Sequence, residues 1–438
     1  MIKYKYIKNQ KGFLIMKKVL KFLLGFVIGF VAVTLVLCLG LTVANRISEV
    51  SMNEYIDTFG KVEYESQLKP SVDEYGNYVF VTDGDFKIMQ ITDAHIGGGV
   101  LSRGDDKKAI NAIAAMIAAE KPDLVVSTGD MASAYPNSGT LNNKFAHSYF
   151  IRLMENLGVY WTVTLGNHDS EIYNSQTREE VGAMYDHSKL EYSLFSAGPE
   201  DVDGVGNHVI AVKNSSGIVT QLVIMIDTHA YTEDDPMGLN WDYDYVKESQ
   251  IEWYRDVINT YSEHNRSELP YISDDELAGD RESYETPKSL AFFHIPLLEV
   301  RDAYWEYVNN GYHNNENVEF VKGNPGEKDP VVFPSETPTA LFDTMVELGS
   351  TQGFFFGHDH LNNFVLKYKG IIMSYGYSID YFAYGGIDRY GYQRGCQMIT
   401  VHPDGSFDIT HENYYQDKYV PLYEKEDVDM SKDHHIIV

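Results

Sequence analysis

Between Phe86 and Leu165 the sequence alternates between two periodicities, and that alternation restricts the fold more than any other feature. FKIMQIT (86–92), DLVVST (123–128) and VYWTVTL (159–165) are short apolar runs with polar flanks, which predicts buried strands. Between them, DKKAINAIAAMIAAEK (106–121) carries Ile and Met at helical spacing, with Pro122 just beyond it. KFAHSYFIRLMENLG (144–158) reads as a second helix, ended by Gly158. Strand, helix, strand, helix, strand predicts βαβ units on a mostly parallel sheet. Farther on, HVIAVK (208–213) and IVTQLVIMID (218–227) predict a hairpin around Asn214–Gly217, and residues 244–263 predict a helix. Strands are expected at 289–294 and 352–356, with two pairs near 363–375 and 396–411. Residues 262–287 and about 305–335 are polar, charged or rich in Asn, Gly and Pro, and read as lid-like surface insertions.

The residues that follow these strands share a chemistry. Asp93 and His95 follow the first, and Gly129 and Asp130 the second. Gly166, Asn167, His168 and Asp169 follow the third. His294 ends the strand at 289–293, and Gly357, His358 and His360 follow the Phe run at 354–356. The carboxyl ends of parallel strands share one edge of the sheet, where such folds place their sites. Residues two apart in extended chain point the same way, so Asp93 with His95, and His358 with His360, each offer two groups in one direction. Taken singly, a Gly-Asp pair is ordinary turn chemistry, and a core histidine is more often a satisfied polar group than a ligand. Five such fragments in order, each after an apolar strand, point to a metal centre.

Charge and hydropathy divide the chain. Up to Arg46 there are eight Lys or Arg and no Asp or Glu; the remainder has 27 basic and 64 acidic residues, a net of −37. A body that acidic repels polyanions, which argues against docking on a nucleic acid duplex. Phe22–Asn45 is a run of 24 residues without a charge, and seven lysines precede it. A membrane span needs ~20 apolar residues, whereas a signal-peptide core is usually ~7–15. An uncleaved anchor is therefore expected at 22–45, with residues 1–21 as a cytoplasmic basic tail and the bulk of the chain outside. Secretion after cleavage is the alternative. Residues 46–85 read as a stalk, 86–415 as the main folded domain and 416–438 as a tail. With one cysteine, Cys396, beyond the apolar run, internal disulfides cannot stabilise the outer part.

The five blocks DAH, GD, GNHD, H and GHDH resemble the calcineurin-like metallophosphoesterase superfamily, and the likeness runs from 86 to about 402. FKIMQITDAHIG, GNHDSE, FFHIPL and GHDHLNN are most similar to the branch of Dcr2-type and purple-acid-phosphatase-like phosphatases. The resemblance implies an α/β fold, a four-layer α/β/β/α sandwich with mixed sheets. It implies two metal ions such as Mn, Fe or Zn. Asp93, His95, Asp130 and His360 would hold the first, and Asp130, Asn167, His294 and His358 the second, with Asp130 shared. It implies hydrolysis of a phosphate ester on a small molecule or a surface, by a hydroxide held between the metals, with His168 protonating the leaving oxygen. A phosphodiesterase, a nucleotide pyrophosphatase or a catalytically silent binding protein would share these blocks. Ser133 stands where classical purple acid phosphatases carry a tyrosine ligand and many protein phosphatases an acidic partner for the catalytic histidine. A ferric-tyrosinate centre is therefore not expected, and Asp169 is the expected partner of His168. SYGYSIDYFAYGGIDRYGYQRG (374–395) follows GHDH and carries Asp380, Asp388, Arg389 and Arg394, of which Arg394 is the candidate substrate contact.

Overall fold

The computed structural model describes residues 2–328, 330–384, 387, 394–423 and 425–428; Asp388 and Arg389 lie outside them. The chain divides into two compact units, Met1–Ser51 and Met52–Val438. The first unit is helical and belongs to α1 (Ile2–Ile56). The two hydroxyls of its uncharged run bond within the helix, Thr34 to the carbonyl of Phe30 and Thr42 to that of Cys38. Among the described residues it supplies the one helix long and apolar enough to cross a membrane, by length and composition, and none of its most apolar window is buried.

The second unit is built on two mixed sheets. In chain order the strands are β1 (Ser71–Val72), β2 (Tyr78–Val81), β3 (Phe86–Ile91), β4 (Leu124–Thr128), β5 (Trp161–Thr164), β6 (His208–Lys213) and β7 (Val219–Met225). They continue with β8 (Lys288–Phe292), β9 (Val318–Lys322), β10 (Thr351–Phe356), β11 (Val365–Tyr368), β12 (Ile371–Tyr375), β13 (Gly395–Val401) and β14 (Phe407–Asn413). One sheet has the order β14-β13-β3-β4-β5; the other has the order β1-β2-β6-β7-β8-β10-β12-β11-β9. The helices are α2 (Arg103–Glu120), α3 (Asn143–Leu157), α4 (Arg178–Tyr185), α5 (Glu248–Glu268), α6 (Leu298–Asn309) and α7 (Leu341–Leu348).

Strand burial on both faces sets the layers. In β3, Phe86 and Ile88 face the other sheet, while Met89 and Ile91 pack with Ile110, Ile113 and Phe150 of the helices outside. The Phe run of β10 divides the same way. Phe355 stacks on Phe292 between the sheets with centroids 5.0 Å apart, and Phe354 and Phe356 join the core under α5, α6 and α7. A strand covered on both sides reads as a continuous apolar run, which is why the three phenylalanines are consecutive. The result is the expected α/β/β/α sandwich.

The boundaries differ from expectation. Residues 71–81, read as stalk, supply β1 and β2, and β2 runs parallel to β6 with Phe80 fully buried. Residues 305–335, read as an insertion, supply the edge strand β9, paired antiparallel with β11. Both partners are distant in sequence, so no local pattern announces the pairing. Residues 262–287 finish α5 and then pack Leu269, Ile272 and Tyr284 against Ile218, as a bound surface segment. At the other end, Tyr414, Tyr415 and Tyr419 belong to the core beside α2, so the domain also extends into the expected tail.

Candidate metal centre

The carboxyl ends of β3, β4, β5, β8 and β10 lie along one edge, and the chain leaves β3, β4 and β10 in an unusual conformation. Asp93, His95, Asp130 and His358 have φ of 50°, 46°, 51° and 78°, in the left-handed region that non-glycine residues rarely occupy. Such strain concentrates at functional sites, where the surroundings hold it in place. Two glycines make the crowding possible. Gly129 has φ 92°, and a Cβ on it would stand 2.7 Å from His294 Nδ1. A Cβ on Gly357 would stand 2.0 Å from Thr92 Oγ1 and 2.4 Å from Asp93 Oδ2.

All seven expected ligands meet here. Asp93, His95, Asp130 and His360 form one group, and Asp130, His294 and His358 a second, each with ligand atoms within 4.8 Å of one another. Asp130 belongs to both. Its Oδ2 lies 3.6 Å from His95 Nε2 and 3.0 Å from His294 Nε2, and its Oδ1 accepts from the backbone N–H of His168 at 2.8 Å. His360 Nε2 lies 3.6 Å from Asp93 Oδ1. Asn167 turns its Oδ1 toward His294 Nε2 at 3.2 Å, while its Nδ2 donates to Tyr231 at 2.8 Å. Neighbours orient the rings: His294 Nδ1 is 2.8 Å from the carbonyl of Thr128, and His360 Nδ1 is 3.3 Å from the buried carboxylate of Asp380.

These residues fit a pair of cations. His95 is fully buried with neither ring nitrogen hydrogen-bonded, and Asp130 Oδ2 is likewise buried without a hydrogen bond. Buried polar atoms left so are rare unless something else binds them. Burial alone opposes ionisation of Asp130, yet the His294 and His168 rings outweigh it and hold the carboxyl well below the usual carboxylate range. Burial opposes protonation of His294, yet the field of Asp130 raises that ring to about 9. Both shifts report a pocket that demands positive charge. Imidazole and carboxylate donors suit Mn, Fe or Zn.

His168 stands beside this cluster, its ring 5.4 Å from that of His95. Its Nδ1 is 2.7 Å from Glu171 Oε1. The Tyr135 hydroxyl hydrogen-bonds to the same ring nitrogen and donates to Glu171 Oε1 at 3.2 Å. Asp169, expected as the partner of His168, has another task. Its carboxylate accepts from the backbone N–H groups of Asp130, Ala132 and Gly166, at 2.9, 2.9 and 2.8 Å. It ties two ligand loops together, and Glu171 takes the position beside the imidazole. Arg394, the candidate substrate contact, is buried elsewhere. Its Nε donates to the carbonyl of Asp380 at 3.0 Å, its Nη1 to Tyr415 at 2.8 Å, and its guanidinium lies 3.8 Å above the Tyr381 ring. It supports the segment that carries Asp380. Glu171 and Asp380 both lie in stretches singled out from sequence without an assigned role.

The cluster opens into a cleft of about 810 Å³, lined at one end by His95, His168, His358 and His360. Curated relatives include a protein of Arabidopsis thaliana named probable inactive purple acid phosphatase 28, 28% identical over 346 residues, which are 74% of this chain and 76% of that one. Phosphatase DCR2 of Saccharomyces cerevisiae is 29% identical over 315 residues, 65% of this chain and 46% of its own length. A dimetal phosphatase from Danio rerio overlays on 76% of this chain and 100% of its own, with a TM-score of 0.44 and 12% identity. The family model for calcineurin-like phosphoesterases matches residues 86–386, a span that contains every strand-end block from Asp93 to His360, and the chain therefore belongs to that family.

Proposed function

We propose that this metal-dependent phosphoric ester hydrolase is held at a membrane by its N-terminal helix, acts on the extracytoplasmic side, and uses His168 to protonate the leaving oxygen of a phosphate ester. The observation that carries the reading is the meeting of two ligand groups through Asp130, with a partly exposed His168 beside them. Asp93, His95, Asp130 and His360 would hold one ion, and Asp130, Asn167, His294 and His358 the other. Bound there, the ions would neutralise phosphoryl charge and acidify the attacking water. As the oxygen of water bonds to phosphorus and the ester P–O bond breaks, the leaving oxygen takes a proton from His168 Nε2, which solvent later restores. Glu171, on Nδ1, fixes the ring so that Nε2 faces the cleft. The apolar helix and the lysines before it support the anchor and its direction. The net of −37 beyond Arg46 supports a small or surface-borne phosphate over a nucleic acid duplex.

A silent binding protein on the same fold is the second reading, since the Arabidopsis relative is named inactive. The full ligand set and the oriented His168 favour turnover. The test is the detergent-solubilised full chain, assayed for bound metal and against mono-, di- and pyrophosphate esters with Mn, Zn or Fe. The panel also separates monoesterase from diesterase and pyrophosphatase. We expect two ions per chain, and a roughly 10²–10⁴-fold loss of kcat in His168→Ala with occupancy unchanged. Full occupancy without turnover of any ester would establish the binding role.

A further inference from the structure

The cleft is much larger than a phosphate group, and its outer wall is aromatic. Trp241, Phe333, Tyr243 and Tyr384 line it beyond the histidines, with Glu327, Asp359 and Lys328 as its acidic and basic residues. Trp241 is the most exposed of these aromatics, at 65%. It makes an edge-to-face contact with Phe333, centroids 6.0 Å apart and planes at 90°. Contiguous apolar side chains exposed beside a cleft mark ligand-binding surfaces, and here Trp241 and Phe333 are in contact.

The backbone is organised to keep it there. Trp241 has φ 59°, a conformation that L residues rarely adopt. Its loop is fastened on both sides: Thr232 N–H donates to the carbonyl of Asp242 at 2.9 Å and Asp244 N–H to that of Ala230 at 3.1 Å. Within it, the buried Asp235 carboxylate accepts from the N–H groups of Leu239 and Asn240 at 2.9 and 2.7 Å. Farther in, Tyr243 stacks on Tyr231 at 5.7 Å and meets the His358 ring edge to face at 4.5 Å, so the aromatic wall is continuous with the metal cluster. The indole is thus preorganised, and a flat ring that lies on it does not have to order the loop.

We propose that Trp241, backed by Phe333, is a specificity-determining platform that stacks a planar aromatic ring in the leaving group of the phosphate ester. This inference rests on the phosphoesterase reading above. The preferred substrate class is an ester of an uncharged alcohol that carries an aromatic ring, its phosphate at the histidines and its ring at the cleft mouth.

The test compares four esters of primary alcohols on the metal-loaded full chain: 2-naphthylmethyl, cyclohexylmethyl and ethyl phosphate, and glucose 6-phosphate. Stacking on an aromatic side chain is worth ~1–3 kcal/mol per ring, so kcat/KM for the naphthylmethyl ester should exceed that for the ethyl ester by roughly 5- to 150-fold. Trp241→Ala should remove most of that advantage and leave ethyl phosphate within about twofold of the parent, which also controls for folding. Trp241→Phe should restore part of it. Equal preference for the naphthylmethyl and cyclohexylmethyl esters, a preference for glucose 6-phosphate, or an advantage that survives Trp241→Ala would each overturn the proposal. If no ester turns over, the phosphoesterase reading fails by itself. Binding then decides the platform: 2-naphthylmethyl phosphate should quench tryptophan fluorescence saturably in the parent and not in Trp241→Phe, and an unquenched parent would reject it.

Discussion

A histidine serves as a proton donor only if its ring is held still and carries its proton when the leaving oxygen needs it. Burial by itself would strip the proton from His168, but in the metal-free chain Asp130 and then Glu171 outweigh it and raise the ring above its ordinary 6.5; with ions on Asp130, Glu171 is the carboxylate left to do so. For the proposed acid role the sign follows directly: donation would be available below the pKa of His168 and lost above it. Glu171→Gln keeps a hydrogen-bonding side chain and removes the charge, so the alkaline limb of the pH–rate profile should move to lower pH. We expect kcat to fall about tenfold to a hundredfold with KM within about twofold, because orientation is weakened while the phosphate site is untouched. Tyr135→Phe should cost less than about tenfold, since Glu171 still holds Nδ1. An alkaline limb that stays in place in Glu171→Gln would assign the orienting role to another group.

At the scale of elements, α4 holds the loop that carries His168. Its start is fixed by a capping box, Thr177 with Glu180, which leaves Arg178 at the first position to turn back toward β5. Arg178 donates to the carbonyls of Gly166 and Leu165 at 2.8 Å each, and its Nε donates to Asp227 Oδ2 at 2.9 Å. Asp227 is buried. Burial opposes its ionisation, but Arg178 outweighs it and lowers the carboxyl from 3.8 to about 2. A depressed carboxylate contributes stability above its unfolded pKa and loses it as pH falls through the folded value. The contribution, about 2 kcal/mol, is therefore complete near pH 5 and gone below pH 2. Arg178→Met strands the carboxylate and should cost about 3–5 kcal/mol at pH 7. The stranded group protonates readily, so the gap between variant and parent, read as Tm by calorimetry, should narrow at pH 4. A gap that is equal at both pH values would mean the ion pair is not its source. The pair shows why some of the structure was legible in sequence and some was not. Every expected metal ligand lies within four residues of an apolar run, so strand and ligand were read together. Arg178 and Asp227 are separated by 49 residues and share no pattern. The strands β2 and β9 were missed because their partners, β6 and β11, lie far away in the chain. Glu171 was visible as a letter in GNHDSE, but nothing local says which carboxylate a loop will fold back onto the imidazole.

For the molecule as a whole, the candidate metal centre would be a structural joint as well as a reactive one, because its candidate ligands come from strands of both sheets. Asp93, His95, Asp130 and Asn167 follow strands of the five-stranded sheet, and His294, His358 and His360 follow strands of the nine-stranded one. Ions held between them connect the sheets in the folded state and have no comparable site in the unfolded chain, so occupancy adds to stability by mass action, about 4 kcal/mol at a thousandfold excess over Kd. Disulfides contribute nothing comparable: Cys38 and Cys396 are both free. A chelator should therefore lower Tm by several degrees, whereas dithiothreitol should leave it unchanged. Imidazoles must lose their protons to bind metal, so the chelator-sensitive part of Tm should shrink as the pH is lowered toward 5. Asp130→Ala removes the one ligand common to both groups. It should bind neither ion tightly, melt near the temperature of the chelated parent, and show no further response to chelator. If Asp130→Ala instead retains two ions per chain by elemental analysis and still responds to chelator, the ions do not share Asp130, and the two ligand groups are separate sites.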